Sequence, residues 1–173
     1  MNSRLIVCLG NKIFVFNISD FNIIYQGDTY ENPNGLCDVT IGEGDMVLAS
    51  LGEQVGCLRI DRLIDGCLEI PILIPAHNNA ITKISLSYDG SLVATASSLG
   101  TMIRLFDTET GALLNEFRRG LFLIYCLKKG TSSAIVQSIS IKKDNSALCV
   151  TSNKGTVHIY QIEEGSNRGA KYE

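Results

Sequence analysis

The chain has 173 residues, of which 45% are hydrophobic and 19% charged, and its formal net charge is −3. This composition is typical of a globular domain with a core and excludes an intrinsically disordered chain. The negative net charge argues against a general nucleic-acid binder, and no apolar run reaches the ~18 residues needed to cross a bilayer.

Short alternating runs rich in Ile, Val and Phe open the chain. Two of them, at residues 4–9 and 12–17, flank Gly10 and Asn11, and this spacing predicts a β-hairpin. A third strand is predicted at 21–25, before the turn cluster of residues 32–35.

The rest of the chain continues as short strands bounded by turn residues, with no sustained period of 3.6 residues, which predicts an all-β fold. Pro71 and Pro75 suit an outer edge strand, where no ladder donor is needed. The predicted strands are 36–41, 46–51, 57–60, 68–74, 81–87, 92–97, 102–107, 113–118, 136–141, 147–151 and 157–162.

An internal repeat runs through these strands. Residues 84–101 match residues 139–156 at a fixed offset, with Asp89 over Asp144 and Gly100 over Gly155. An earlier segment from Met46 fits the same frame. A four-stranded unit that repeats every ~40–45 residues is the signature of a WD-type propeller blade.

The repeat predicts a partial β-propeller over residues 1–165, with a polar, disordered tail at 166–173. Propellers close with about 4–8 blades, so we expect a longer protein or closure by assembly. The predicted blade parts are 1–30, 35–74, 76–118 and 121–162, and only the middle two are whole.

Six cysteines are present and none forms a CxxC pair. Most stand in apolar runs, where a free cysteine behaves as a small hydrophobe. The opening apolar run is too short for a signal peptide, so a reduced, cytosolic compartment is expected.

The charge is divided unevenly. Residues 1–100 hold 5 Lys/Arg and 11 Asp/Glu, net −6, whereas residues 101–173 hold 10 and 7, net +3. Within the basic part, Arg118 and Arg119 are adjacent at the end of a predicted strand, so their side chains diverge. Arginine matches phosphate well because its planar fork gives paired hydrogen bonds. Anion recognition is therefore expected to be local.

Several motifs together resemble the PROPPIN family, whose members are seven-bladed WD-repeat propellers that bind phosphatidylinositol 3-phosphate and the 3,5-bisphosphate. The resemblance covers most of the chain, from the middle of the family's third blade into the sixth. It rests on Ala76-His77, the LVATAS run at 92–97, GTMIRLF at 100–106, FRRG at 117–120 and GTVHIY at 155–160.

The resemblance implies two lipid-headgroup sites on neighbouring blades. The first falls on His77, Ser97, Thr101 and Arg118. The second falls on Arg119, Ser152, Thr156 and His158. Two weak sites on one rigid body gain through effective concentration.

As a family member, the protein would be a peripheral protein of endosomal and autophagic membranes that acts as an autophagy or trafficking adaptor. Its expected partners are the two phosphoinositides and autophagy-type proteins, with no nucleic acid and no cofactor. The alternative is a WD-repeat protein-interaction scaffold whose lipid sites do not function. Which phosphoinositide is preferred is not decided by the sequence.

One departure from the family follows the arginines. An apolar run at 121–127 and the polar residues 128–133 lengthen the path to His158 by about ten residues. This insertion weakens the prediction of the second site. Lys128 and Lys129 could each add ~1 kcal/mol beside an anionic bilayer, although a solvated loop is the simpler interpretation.

Each candidate also has a structural interpretation. Arg118 and Arg119 could be a solvated pair. His77 could form the blade-internal hydrogen bond usual in WD repeats, and His158 could be an exposed strand residue. The four hydroxyl residues flank turns, where Ser and Thr commonly bond local backbone.

Catalysis finds no support. The two histidines are far apart in the sequence, and no nucleotide-binding, zinc-protease or calcium-loop motif is present. The histidines and cysteines lack zinc spacing. A cysteine-dependent enzyme would need a thiol of low pKa.

Overall fold

The computed structural model of the protein describes residues 4–42, 45–64, 67–118 and 134–162. These ranges contain β-strands and no helix, which confirms the all-β prediction. The strands are β1 (Arg4–Cys8), β2 (Lys12–Asn17), β3 (Ile23–Asp28), β4 (Cys37–Ile41), β5 (Met46–Leu51), β6 (Cys57–Ile64), β7 (Cys67–Leu68), β8 (Ile72–Pro75), β9 (Ile81–Leu86), β10 (Leu92–Ser97), β11 (Met102–Asp107), β12 (Leu113–Arg118), β13 (Val136–Ile141), β14 (Ala147–Ser152) and β15 (Val157–Gln161).

The strands form four antiparallel sheets in which sequence neighbours pair. Sheet 1 is β1-β2-β3, and sheet 2 is β4-β5-β6 with both β7 and β8 on β6. Sheet 3 is β9-β10-β11-β12, and sheet 4 is β13-β14-β15. This meander suits a sequence of short strands with tight turns.

Successive sheets pack face to face across three apolar seams. The first seam joins sheets 1 and 2 around Val15 and Leu48. The second joins sheets 2 and 3 around Ile60 and Val93, and the third joins sheets 3 and 4 around Leu105. The first strands of sheets 2, 3 and 4 contact one another, as the innermost strands of adjacent propeller blades do.

Corresponding turns of the repeat have the same left-handed backbone. Gly90 and Asn145 have φ values of 74° and 59°, each between the first two strands of its sheet. Gly111 and Phe21 have φ values of 72° and 55°, each before the last strand of its sheet. The repeat is therefore kept in backbone conformation even where the residue type differs.

Three predicted strands differ in their bounds by more than one residue. The third begins at Ile23 because Phe21 belongs to the turn. The strand predicted at 57–60 extends to Ile64. The strand predicted at 68–74 is two short strands, β7 and β8, with Pro71 between them, where the missing N–H ends the pairing. The insertion at 121–133 and the tail at 166–173 lie outside the described residues.

Candidate functional site

Arg118 ends β12 beside the turn that joins β10 to β11. The strand register pairs Met102 with Arg118, so the arginine stands at the turn end of sheet 3. The turn closes by a hydrogen bond of 2.9 Å from the Gly100 N–H to the Ser97 carbonyl. A Cβ at Gly100 would collide with the carbonyl oxygen of Ala134, so glycine is required for sheet 4 to approach.

The side chain of Arg118 is exposed, and no described acidic residue forms a salt bridge with it. Three other arginines are paired: Arg59 with Asp61, Arg62 with Glu69, and Arg104 with Glu116. Among the described residues, the guanidinium of Arg118 thus has no carboxylate partner, whereas the other three are neutralised in place.

His77 lies in the loop that connects sheet 2 to sheet 3. Its backbone N–H donates to the Gly56 carbonyl at 2.9 Å, and its Nε2 lies 3.0 Å from Thr95 Oγ1. Burial, with the nearby Arg104 charge, lowers the pKa of His77 from its ordinary 6.5 to about 4. The ring is thus neutral at pH 7 and makes the blade-internal hydrogen bond expected of a WD repeat.

Ser97 and Thr101 flank the same turn as Arg118. Ser97 is buried at the end of β10, where a register shift separates it from Ala96, and Thr101 is half-buried before β11. The structure therefore brings Ser97, Thr101 and Arg118 to one end of sheet 3. His77 contacts this sheet through Thr95, which lies two residues before Ser97 on β10.

The second predicted group is partly described. Ser152 Oγ and Thr156 Oγ1 lie 2.7 Å apart, and the Lys154 N–H donates to Ser152 Oγ at 3.3 Å. The two hydroxyls therefore meet across a turn and support its backbone, as turn hydroxyls often do. His158 is half-buried on β15, and Arg119 lies outside the described residues.

Tyr160 is an element of the site that the sequence pattern did not single out. Its ring stacks on Phe117, with centroids 4.9 Å apart, and its hydroxyl donates to the Arg118 carbonyl at 3.4 Å. The His158 ring lies 6.2 Å from the Tyr160 ring on the same strand. The alternation of β15, with Val157 and Ile159 on the opposite face, is the signal that could have found this contact.

Two structural findings concern other site classes. Within the described ranges, no group of three or more His, Cys, Asp or Glu side chains could hold a metal ion. The same ranges contain no helix long and apolar enough to cross a membrane.

The chain was compared with known proteins and families. Residues 1–172 match the sequence model of the PROPPIN family. The chain is 34% identical over 162 residues to WD repeat domain phosphoinositide-interacting protein 1 of Xenopus laevis. It is 34% identical over 159 residues to Autophagy-related protein 18e of Arabidopsis thaliana. The structure superposes on Kluyveromyces lactis Hsv2 with a TM-score of 0.74 at 28% identity.

These matches cover most of this chain but less than half of each protein that it resembles. They include 93%, 92% and 95% of this chain, respectively. The chain spans only 35% and 39% of the two curated relatives and 48% of the Hsv2 chain. The fold is thus that of consecutive blades of a β-propeller, with about half the length of the solved one.

Proposed function

The chain belongs to the PROPPIN family, and we propose that it recognises 3-phosphorylated phosphoinositides, phosphatidylinositol 3-phosphate or the 3,5-bisphosphate, at the turn end of sheet 3. It binds without catalysing a reaction. One relative is named for interaction with phosphoinositides and another for autophagy, which supports this assignment.

The exposed Arg118 carries the proposal. Its guanidinium forms no salt bridge within the described residues, and the strand register sets Arg118 opposite Met102, at the same end of sheet 3 as Ser97 and Thr101. A phosphate monoester needs charge and several donors at short range, and one arginine with two hydroxyls supplies both.

His77 contributes to this site as a neutral group. Its lowered pKa removes it as a cation at cytosolic pH, and its ring already contacts Thr95. We therefore assign it the role of orienting the loop and β10 beneath the headgroup, with a direct hydrogen bond to phosphate through its second nitrogen. Arg118 supplies the charge.

We assign the second headgroup site to Arg119, Ser152, Thr156 and His158. The described part that supports it is the pair of hydroxyls 2.7 Å apart at the end of sheet 4. A phosphate would have to take over the hydrogen bond that they now make with each other, so this site should be the weaker of the two.

We further propose that the protein acts as an adaptor on endosomal or autophagic membranes and recruits autophagy-type proteins. A peripheral protein with two weak headgroup contacts binds only where the lipid is dense, which suits recruitment to a marked membrane.

Flotation with liposomes tests the proposal. We expect the chain to float with vesicles that contain phosphatidylinositol 3-phosphate. With vesicles that contain phosphatidylinositol instead, it should remain at the bottom of the gradient. Arg118→Thr with Arg119→Thr should reduce flotation at least about tenfold, since charge-assisted phosphate contacts contribute roughly 1.5–3 kcal/mol each.

Lys142→Thr with Lys143→Thr is the matched control. It also removes two adjacent cations, but from the turn at the opposite end of the strands, between β13 and β14. Equal losses in the two double variants would indicate general attraction to anionic lipid. Unchanged flotation of the arginine variant would refute lipid recognition here and favour a protein-interaction scaffold.

A further inference from the structure

Two thiols meet across the first seam. Cys8 ends β1 in sheet 1, Cys37 begins β4 in sheet 2, and their sulfur atoms lie 3.1 Å apart. Both cysteines are free and half-buried. None of the sites proposed above uses them.

The fold brings these residues together from 29 positions apart in the sequence. Cys8 pairs with Ile13 within sheet 1, and Cys37 pairs with Ser50 within sheet 2. Both pack against the apolar cluster of the first seam, which fixes the backbone on each side. A Cβ at Gly35 would lie 3.6 Å from the Cys8 Cβ, so the loop leading into β4 is also close.

We propose that Cys8 and Cys37 are a modification site at which a hydroperoxide joins the two sulfurs as a disulfide across the first seam. A sulfur–sulfur bond is about 2.05 Å long, so a movement of roughly 1 Å separates the thiol contact from the bond.

The reaction balances with hydrogen peroxide as the oxidant. The Cys8 thiol, in our assignment, loses its proton and the thiolate attacks one oxygen of the peroxide, which gives a sulfenic acid and hydroxide. That hydroxide takes the Cys8 proton and leaves as the first water. Cys37 then attacks that sulfur and expels hydroxide, which takes the Cys37 proton and leaves as a second water. Two thiols lose two hydrogens and two electrons, and one peroxide is reduced to two waters.

The environment makes this reaction conditional. Burial, and next the hydrogen bond between the Cys37 and Cys8 thiols, raise the pKa of Cys37 to about 12, so Cys37 stays a thiol at pH 7. A thiol with a raised pKa is inert until its neighbour has been activated. The pair therefore remains reduced in a thiol-rich cytosol and closes when peroxide appears.

The experiment treats the folded chain with hydrogen peroxide and then alkylates it in denaturant. We expect the alkylated thiols to fall from six to four and the mass to fall by two hydrogens. Digestion with trypsin and a glutamate-specific protease should yield one cross-linked peptide pair holding Cys8 and Cys37. Glu53 lies between Cys37 and Cys57, so the digest distinguishes them.

Matched variants complete the test. Cys8→Ser and Cys37→Ser should each abolish the cross-link, whereas Cys57→Ser, at another half-buried thiol, should leave it unchanged. The peptide map of the unsubstituted chain needs no variant, so a folding defect in one of them does not rescue the proposal. Cross-links to other cysteines, links between chains, or six remaining thiols would overturn it.

Discussion

His77 is the residue whose surroundings most change its expected chemistry. The lowered pKa means that the folded chain holds a proton on His77 less readily than the unfolded chain, whose histidine has the ordinary value near 6.5. Its contribution to stability is therefore complete above pH 6.5 and is lost as the pH falls towards 4.

We predict that His77→Gln removes this part of the pH dependence, because glutamine can still hydrogen bond to Thr95 but does not titrate. Urea unfolding at pH 7.5, 6 and 5 would measure it. The free energy of unfolding should fall less steeply with decreasing pH in the variant than in the parent. Parallel slopes would show that His77 is not the titrating group.

At the scale of single residues, the sequence identifies candidate side chains but not the groups that they contact. Arg118 was predicted to bind an anion, which stays a prediction; its side chain is exposed. That His77 bonds Thr95 depends on how sheet 3 packs against its entry loop, which no local pattern records. Tyr160 was missed because its contact with Phe117 joins two sheets separated by the residues 119–133.

The turns before β3 and β12 test the repeat at the level of single elements. Phe21 has a left-handed φ of 55°, which strains the backbone of a residue with a side chain. Its side chain is 68% exposed, so burial contributes little stability to offset that strain. We predict that Phe21→Asn raises the free energy of unfolding by roughly 0.5–1 kcal/mol, because asparagine tolerates this conformation.

The equivalent glycine gives the opposite expectation. Gly111 has a φ of 72°, and a Cβ there would lie 2.8 Å from Ile72 Cγ2. Gly111→Ala should therefore lower the free energy of unfolding by about 1–2 kcal/mol. Chemical denaturation of both variants checks the pair, and a gain in stability from Gly111→Ala would contradict the shared turn geometry.

β15 is predicted to position the end of β12 through Tyr160. Tyr160→Leu should weaken flotation with phosphatidylinositol 3-phosphate roughly 3–10-fold, since an aromatic pair contributes about 0.5–1.5 kcal/mol beyond its burial. Tyr160→Phe keeps the stack on Phe117 and should bind nearly as the parent does. Equal losses in both variants would show that the Tyr160 hydroxyl, and not the ring stack, positions the end of β12.

The strands themselves were largely predictable, because turn residues and alternation are local signals. The errors fell where pairing decides the ends of a strand. Ile64 continues β6 because Cys67 pairs with it, and that partner comes later in the chain. Phe21 lies outside β3, although phenylalanine favours strands, because it has the left-handed turn conformation that Gly111 has at the equivalent place in sheet 3.

The whole molecule carries apolar residues on the outer faces of its end sheets. Val157 and Ile159, 63% and 70% exposed, lie on the face of sheet 4 that is opposite the third seam. Leu5 and Ile23 are exposed in sheet 1. Contiguous exposed apolar residues mark surfaces that bind other protein surfaces.

We therefore predict concentration-dependent self-association of this chain, measured by sedimentation velocity. Ile159→Lys should weaken it at least about tenfold, because burying one isoleucine contributes roughly 1.5–3 kcal/mol. Ile70→Lys is the control, since Ile70 is 91% exposed in the link between β7 and β8. A chain that stays monomeric at high concentration, or equal effects of both substitutions, would disprove this role of sheet 4.

The connections between sheets repeat one backbone bond, from Asn32 N–H to the Gly10 carbonyl and from His77 N–H to the Gly56 carbonyl. The connections into sheets 2 and 3 are thus each fastened to the sheet before, and in the described part of the chain the apolar clusters join adjacent sheets. Stability in such a row is a sum of nearest-neighbour terms. A cross-link between Cys8 and Cys37 would join sheets 1 and 2, whereas Arg118 ends β12, the last strand of sheet 3. We expect the contributions of the cross-link and of a headgroup bound at Arg118 to the free energy of unfolding to add. Oxidation of the cysteine pair would then stabilise the fold without changing the affinity for lipid.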